Sequence, residues 1–306
     1  MRELVIDGTR IADDTDCFVI AEIGHNHGGD LDTCKALFKA AKEAGANAVK
    51  LQKRDNRTLF TREMFDSPYN SENAYGPTYG LHREALEFDR EQYQELQGYA
   101  LSLGLTFFAT AFDLKSLVFL IDLGVPAIKI ASGDVTYIEL LAEASRYGRP
   151  VIVSTGGATI EDVRRAHDVL GDCPHAILQC TASYPCEFDK LDLRVIETYR
   201  ALFPDTVIGL SAHDSGIASA PVAYALGARI VEKHFTLNRA WKGTDQAFSL
   251  EPVGLKKMVR DLRRTRLALG DGRKRVYQEE LAPLAKMRKK LIDGEWKVDG
   301  RPLPRA

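Results

Sequence analysis

Short runs of β-branched and other apolar residues recur eight times along this chain, and most break off in small or polar residues. The runs lie at 18–22, 48–52, 106–110, 127–132, 151–156, 176–181, 207–210 and 229–231. Helical segments with apolar residues at three- and four-residue steps separate them, for example 31–44, 89–103, 138–147, 160–170 and 193–203. This alternation predicts an α/β fold, a (β/α)8 TIM barrel with one polar, active rim. A chain of 306 residues can hold such a barrel, which typically has roughly 250 residues.

Three segments lie outside the simple alternation. Residues 3–11 read as a β-hairpin turning at Asp7-Gly8, which we expect to plug the barrel floor. Residues 54–88 are rich in Tyr, Asn, Pro and Gly and predict a long loop on the active face. A final basic helix over 253–269 precedes a charged tail. We therefore expect an N-terminal hairpin (1–16), the barrel (17–270) and a short C-terminal helical extension (271–306).

Charge and composition exclude several classes of protein. A net charge of -2 argues against nucleic acid as the main partner. No apolar stretch approaches the roughly 20 residues of a membrane span, and the first residues do not open a signal peptide, so we expect the cytoplasm and no membrane partner. The five cysteines lack CxxC spacing, which favours reduced thiols over disulfides or a zinc cluster.

Cations and hydroxyls stand together at the strand ends. Lys50 and Lys129 end the second and fourth strands, and both are expected to point into the barrel mouth. Hydroxyl groups follow at Thr110, Ser132, Ser154 and Ser211. Any one of these residues alone is more simply explained as a strand-terminal cap. All of them on one rim predict an anion cradle, with phosphate as the most natural ligand.

Two histidines, His213 and His234, follow directly on the last two strands. A lone histidine is more often a hydrogen-bonded core residue, but two on adjacent strand ends predict a divalent metal site. With Glu22 as an oxygen neighbour, such an open site suits a Lewis acid that polarises a carbonyl. His25 and His27 lie in the first loop and are weaker candidates, because turn chemistry explains that segment.

Ordered motifs at the strand ends resemble those of the sialic acid synthase family, from about residue 18 to residue 252. They are EIGHNHGGD at 22–30, VKLQ at 49–52, KIASGD at 129–134, STG at 154–156, CTASYP at 180–185, GLSAH at 209–213 and EKHFT at 232–236. The resemblance implies condensation of phosphoenolpyruvate with N-acetylmannosamine or a related sugar aldehyde. The products are a 2-keto-3-deoxy sugar acid and phosphate.

The resemblance also implies roles for individual residues. Phosphoenolpyruvate would be held by Lys50, Thr110, Lys129, Ser132, Ser154 and Ser211. His213 and His234 would bind Mn²⁺ or Mg²⁺, with Glu22 close to metal and acceptor. Gln52, Tyr184, Asp134 and Asp245 would lie at the sugar acceptor.

The sequence departs from the family pattern in three places. Asp134 stands where the family usually has Glu, and Lys53-Arg54 stands where many members have Thr-Phe. We also expect no antifreeze-like domain after residue 306, the domain whose arginine reaches the partner's acceptor site in members that make sialic acid. Our hypothesis is that Arg83, with Tyr79 or His82, replaces that arginine and holds an acceptor carbonyl or carboxylate by a planar two-point contact. The alternative is that 81–88 starts a helix and Arg83 is solvated.

Two classes of function remain at this point. The first is a metal-dependent synthase that condenses phosphoenolpyruvate with a sugar aldehyde. The second is a non-catalytic barrel that binds a sugar or phosphorylated ligand in a regulatory role. Retention of both lysines, the hydroxyls and both histidines favours catalysis, since a binding protein needs no metal opposite the phosphate. The acceptor, the preferred metal and any homo-oligomer are not fixed by the sequence.

Overall fold

A computed structural model describes residues 2–303 and confirms the predicted (β/α)8 barrel. An antiparallel hairpin comes first, with strands β1 (Glu3–Ile6) and β2 (Thr9–Ala12). Eight parallel strands then close the barrel in the order β10-β3-β4-β5-β6-β7-β8-β9. They are β3 (Phe18–Gly24), β4 (Ala48–Lys53), β5 (Thr106–Ala111), β6 (Ile128–Ile130), β7 (Val151–Ser154), β8 (His175–Cys180), β9 (Val207–Ala212) and β10 (Ile230–His234).

Helices follow the strands around the outside of the barrel. They are α1 (Leu31–Ala44), α2 (Asn56–Leu59), α3 (Arg62–Asp66), α4 (Tyr79–Glu84), α5 (Arg90–Ser102), α6 (Leu114–Leu123), α7 (Ile138–Arg146), α8 (Ile160–Leu170), α9 (Val195–Leu202), α10 (Ser219–Ala225) and α11 (Pro252–Leu269). Local signals set their bounds. Asp30 caps α1 by accepting from Thr33 N, and Gly45 ends it at φ 92°, a left-handed conformation that glycine adopts without strain.

The barrel strands are buried on both faces, which explains their near-continuous apolar runs. Close packing is most evident at Gly209 in β9. A Cβ atom there would lie 2.4 Å from Leu178 Cδ2 and 2.6 Å from the Ile230 carbonyl oxygen. A glycine is therefore required for the strands on either side to approach.

The N-terminal hairpin lies at the amino ends of the strands. Leu4, Ile6 and Ile11 are buried in the main core. Thr106 Oγ1, on the first residue of β5, donates a 3.2 Å hydrogen bond to Asp7 Oδ2 in the hairpin turn. The hairpin thus covers the barrel floor and leaves the opposite rim open.

The segment 54–88 is more ordered than the loop that the sequence predicts. It contains three short helices, α2, α3 and α4, each opened by a side chain that accepts from the backbone, namely Asp55, Thr61 and Thr78. The next long helix, α5, begins at Arg90 rather than near Leu81, whose side chain is exposed. Arg83 therefore lies in a separate short helix, α4.

The chain divides into two compact units, Met1–Ala268 and Leu269–Ala306. The second contains helix α12 (Gln278–Met287) and a three-stranded antiparallel sheet that the sequence prediction does not include. Its strands are β11 (Lys290–Ile292), β12 (Glu295–Val298) and β13 (Arg301–Pro302). Across residues 2–303, no helix combines the length and apolarity needed to cross a membrane.

Candidate functional site

A cavity of about 530 Å³ opens at the carboxyl ends of the barrel strands. All but one of the predicted site residues line it, namely Glu22, Lys50, Gln52, Arg83, Thr110, Lys129, Ser132, Ser154, Tyr184, Ser211, His213, His234 and Asp245. Asp134 is the exception: it is half-buried beside Gly133, which does line the cavity. The volume is typical of a site for small ligands.

Strand register places a carboxylate between a histidine and a lysine. On β3, Glu22 is paired with His234 of β10 on one side and with Lys50 of β4 on the other. Lys50 Nζ lies 2.6 Å from Glu22 Oε2. Because the strands are parallel, these three side chains reach the rim at the same height.

Glu232, which the sequence prediction does not include among the site residues, is the buried counter-charge of both lysines. Its Oε1 atom lies 3.6 Å from Lys50 Nζ and 3.9 Å from Lys129 Nζ. Burial acts to raise the pKa of Glu232, but the charges of Lys129 and Lys50 outweigh it and lower the pKa. The signal for this residue is the strand period of two, which puts Glu232 on the same inward face as His234.

The predicted hydroxyls contact the lysines directly. Lys50 Nζ donates a 2.6 Å hydrogen bond to Thr110 Oγ1, and Lys129 Nζ donates one of 2.6 Å to Ser154 Oγ. Burial lowers the pKa of Lys129, and the charge of Glu232 opposes that shift. Ser132 Oγ accepts a 2.9 Å bond from Gly156 N, so it also caps the backbone.

The two histidine rings lie next to each other in the cavity wall, with centroids 5.4 Å apart and planes tilted by 53°. Burial, followed by the neighbouring His234, lowers the pKa of His213 to about 3, which keeps it neutral. His213 Nδ1 lies 3.2 Å from the Thr181 carbonyl oxygen, which can only accept. The ring proton is therefore on Nδ1, and the lone pair of Nε2 is free.

The second imidazole also fits a metal ligand. His234 Nδ1 is buried without a hydrogen-bond partner in the described part of the chain, and Asp245 Oδ2 lies 3.6 Å from it. Two imidazoles, with a backbone carbonyl beside one and a carboxylate near the other, are a donor set that divalent transition metals use. Within residues 2–303, no group of three or more His, Cys, Asp or Glu side chains is arranged to hold a metal ion, so the two histidines would bind one without a third such protein ligand.

The acceptor residues expected from the resemblance lie next to this pair. Gln52 Nε2 donates a 2.7 Å hydrogen bond to Glu22 Oε1. The Tyr184 ring lies 4.1 Å from that of His213. Phe248, which the sequence prediction does not include, covers the other side of His234 at 5.0 Å between ring centroids. Burial raises the pKa of the nearby Asp134 to about 6.

Two arginines complete the rim, and only Arg83 is among the predicted site residues. Arg54 is buried, lines the cavity and stacks on Phe112 at 3.6 Å. Both guanidinium groups contact His25, a weaker candidate in the sequence. The other weak candidate, His27, is instead stacked on Phe88 with centroids 4.3 Å apart.

Tyr79 and His82 have different surroundings from Arg83. Tyr79 Oη accepts hydrogen bonds of 3.1 and 3.0 Å from Arg83 Nε and Nη2, so it fixes the guanidinium plane. His82 is buried, and its ring stacks on Tyr69 with centroids 4.6 Å apart. It does not line the cavity.

Comparison with known proteins identifies one family and relatives that are named as sugar acid synthases. A sequence model of the NeuB family matches residues 37–274. N-acetylneuraminate-9-phosphate synthase of Homo sapiens is 41% identical over 278 residues, covering 90% of this chain and 77% of that protein. N,N'-diacetyllegionaminic acid synthase of Legionella pneumophila is 35% identical, covering 90% of this chain and 79% of that one.

A solved structure shares the whole architecture. The N-acetylneuraminic acid (sialic acid) synthetase of Leptospira borgpetersenii, crystallised with citrate, superimposes with a TM-score of 0.79 at 33% identity. The match covers 94% of this chain and 98% of that one. Together with the family match over most of the barrel, this likeness shows that the chain belongs to the NeuB family, the family of the sialic acid synthases.

Proposed function

We propose that this enzyme condenses phosphoenolpyruvate with a sugar aldehyde of the N-acetylmannosamine type, giving a 2-keto-3-deoxy sugar acid and phosphate. The observation that carries the proposal is the convergence of two lysines and two imidazoles on one cavity. Lys50 and Lys129 suit an anionic substrate, and His213 and His234 suit a metal beside a neutral carbonyl.

Phosphoenolpyruvate would bind on the side of the two lysines. Thr110 and Ser154 already accept hydrogen bonds from Lys50 and Lys129, so both ammonium groups are held in place before substrate arrives. Fixed cations of this kind stabilise charge that develops as phosphate leaves. Glu232 provides a buried counter-charge within 4.0 Å of both lysines.

A divalent metal, Mn²⁺ or Mg²⁺, would be held by His213 and His234. When bound, it supplies Lewis-acid polarisation of the acceptor's carbonyl. The Thr181 carbonyl oxygen orients the His213 ring through Nδ1, and Asp245 Oδ2 lies 3.6 Å from Nδ1 of His234. Neutral His213 is ready to bind a metal without first losing a proton, because its pKa is about 3.

The reaction balances without any further co-reactant. C3 of phosphoenolpyruvate attacks the aldehyde carbon, water adds at C2, and phosphate departs by cleavage of its C–O bond. We expect Gln52, Tyr184 and Asp245 to orient the acceptor, with Glu22 close to it, Arg83 at the rim and Asp134 near an acceptor hydroxyl. The relatives are named for different products, N-acetylneuraminate 9-phosphate and N,N'-diacetyllegionaminic acid. Their names therefore do not identify the substituents of the acceptor that this chain uses.

Phosphate release from phosphoenolpyruvate tests the proposal. The protein is incubated with Mn²⁺ or Mg²⁺ and a panel of 2-acetamido and simple aldoses, and both phosphate and 2-keto-3-deoxy acid are measured. We expect aldose-dependent release of the two products in equal amounts, abolished by a chelator. A barrel that bound phosphoenolpyruvate and released no phosphate with any aldose would favour the regulatory alternative instead.

A further inference from the structure

Arg54 and Arg83 differ from the two lysines of the cavity in that no carboxylate contacts their guanidinium groups. Lys50 and Lys129 both lie within 4.0 Å of Glu232, and Lys50 contacts Glu22 as well. No carboxylate oxygen in the described chain lies within that distance of either guanidinium. The nearby acid Glu87 is paired with Lys53 at 2.9 Å. Two cations are therefore left available to an anionic ligand.

The contacts of the two arginines with His25 cannot both be hydrogen bonds. Arg54 Nη1 lies 3.0 Å from His25 Nε2, and Arg83 Nη1 lies 3.3 Å from His25 Nδ1. Burial, followed by the charges of Arg54 and Arg83, lowers the pKa of His25 well below its ordinary value, so the ring is neutral. A neutral imidazole has one lone pair and one N–H. One guanidinium must therefore face an N–H group, and that donor has no acceptor.

Both guanidinium planes are nevertheless held firmly. Arg54 stacks on Phe112 and donates a 2.7 Å hydrogen bond to Gln52 Oε1. Arg83 donates to Tyr79 Oη through two nitrogens. A donor pair that is fixed in place but short of an acceptor is preorganised for a ligand that brings acceptor oxygens.

The position of the pair identifies which ligand it serves. Gln52 links Arg54 to Glu22, since its amide accepts from Arg54 and donates to Glu22. Glu22 is in register with His234. Gln52 and Glu22 thus connect Arg54 to the strand that is paired with His234, and Arg83 joins Arg54 through their shared contact with His25.

We propose that Arg54 and Arg83 form a phosphate subsite, and that the acceptor is an aldose phosphate whose phosphate lies at the end far from the aldehyde. This rests on the proposed condensation and names its substrate class. A carboxylate is satisfied by one guanidinium fork, whereas a phosphate monoester carries nearly two charges and three acceptor oxygens. Two arginines on either side of one imidazole match the second ligand better.

Paired acceptors and an unreactive probe provide the test. The ratio of kcat/KM for N-acetylmannosamine 6-phosphate to that for N-acetylmannosamine is measured for the wild type and for Arg54→Gln and Arg83→Gln. We expect the wild type to prefer the phosphate, and each variant to reduce the ratio by about 10- to 100-fold, the value of a charge-assisted hydrogen bond. The KM for phosphoenolpyruvate should stay near the wild-type value.

Arg62→Gln is the matched control, because Arg62 lies in the same segment with its side chain 96% exposed. It should leave the ratio unchanged. Calorimetric binding of mannitol 1-phosphate, which has no aldehyde, should weaken in Arg54→Gln and Arg83→Gln alone. Arg83→Lys, which retains the charge, should recover part of the lost ratio if the fold is intact.

Equal use of both acceptors by the wild type would overturn the subsite, as would a preference for N-acetylmannosaminuronic acid. An unchanged ratio in both glutamine variants would do the same. Failure of the proposed condensation gives a different result, since no acceptor would then release phosphate from phosphoenolpyruvate. Binding of mannitol 1-phosphate still reports on the arginines in that case.

Discussion

Lys129 Nζ donates a 2.6 Å hydrogen bond to Ser154 Oγ across the neighbouring strands β6 and β7. A second bond, of 3.0 Å, goes to the Ile130 carbonyl oxygen. The ammonium group is therefore fixed in a buried position where the nearest counter-charge, Glu232, is 3.9 Å away. Such a group binds an anion without the cost of ordering a flexible side chain.

Replacement of Lys129 by methionine should weaken phosphoenolpyruvate binding. Loss of a charge-assisted hydrogen bond costs about 1.5–3 kcal/mol, or roughly 10- to 100-fold in Kd. Calorimetric titration with phosphoenolpyruvate measures this change, and binding of the acceptor probe should vary much less. Lys115→Met is the control, because the Lys115 side chain is 63% exposed and pairs with Asp55. The same phosphoenolpyruvate affinity in both variants would remove Lys129 from the site.

Replacement of Glu232 by glutamine should change the pH dependence of that binding. Burial lowers the pKa of Lys129 below its ordinary 10.5, and the negative charge of Glu232 raises it again in part. Binding that needs the charged ammonium is present below this pKa and is lost as pH rises through it. In Glu232→Gln the loss should therefore occur at lower pH.

Phosphoenolpyruvate Kd measured between pH 7 and pH 10 checks this expectation. The expected shift in the pH profile of binding arises from removal of one negative charge. Glu232→Asp retains that charge and should give a profile closer to that of the wild type. Coincident profiles for the wild type and the glutamine variant would mean that Glu232 does not act on the lysines.

Activity should require both His213 and His234. His213→Ala and His234→Ala each remove one imidazole ligand, and we expect turnover to fall by at least about 100-fold, as a lost metal ligand or its support typically costs. Circular dichroism should show an intact fold, and direct titration should show weakened Mn²⁺ binding. His167→Asn, on the outer helix α8, is the control. Full turnover by either alanine variant in chelator-treated buffer would contradict the metal assignment.

Two glycines should respond in opposite directions to the same substitution. At Gly209, an added Cβ would lie less than 3 Å from the Leu178 Cδ2 atom and from the Ile230 carbonyl oxygen. Gly209→Ala should therefore lower the free energy of unfolding by about 1–3 kcal/mol. Gly98 lies in the middle of α5, where a Cβ meets nothing within 4 Å. Gly98→Ala should raise stability by about 0.5–1 kcal/mol. Denaturant unfolding measures both, and equal effects would argue against the tight packing at β9.

Local patterns in the sequence suffice for the barrel and for most of the cavity. Short apolar runs that end in polar residues identify the strands β3 to β10. The residues at the ends of these parallel strands meet at one rim of the barrel, so the same pattern also identifies most of the cavity lining. The two short turns Asp293-Gly294 and Asp299-Gly300 carry the same Asp-Gly signal as Asp7-Gly8, and all adopt left-handed angles. Asp-Gly is a typical hairpin turn, so the small C-terminal sheet could have been predicted from these two dipeptides.

The remaining features depend on partners far apart in the chain. The local sequence around His25 indicates only a turn. The contacts of His25 with Arg54 and Arg83 arise from packing between segments that are distant in the sequence. Likewise, the counter-charge role of Glu232 depends on distances to lysines of two other strands. Helices α2 to α4 are too short for a periodic signal and are defined by their caps.

The segment 54–88 contains both arginines, whereas the lysines, Glu22 and His234 belong to the barrel strands themselves. A single continuous insertion between β4 and α5 can therefore diverge without any change in the residues proposed to carry out the chemistry. Substitutions that change the acceptor can then occur in this connecting segment without altering the strand ends. In the proposed assignment, the phosphate subsite and the residues that make the carbon–carbon bond therefore lie on separate stretches of chain.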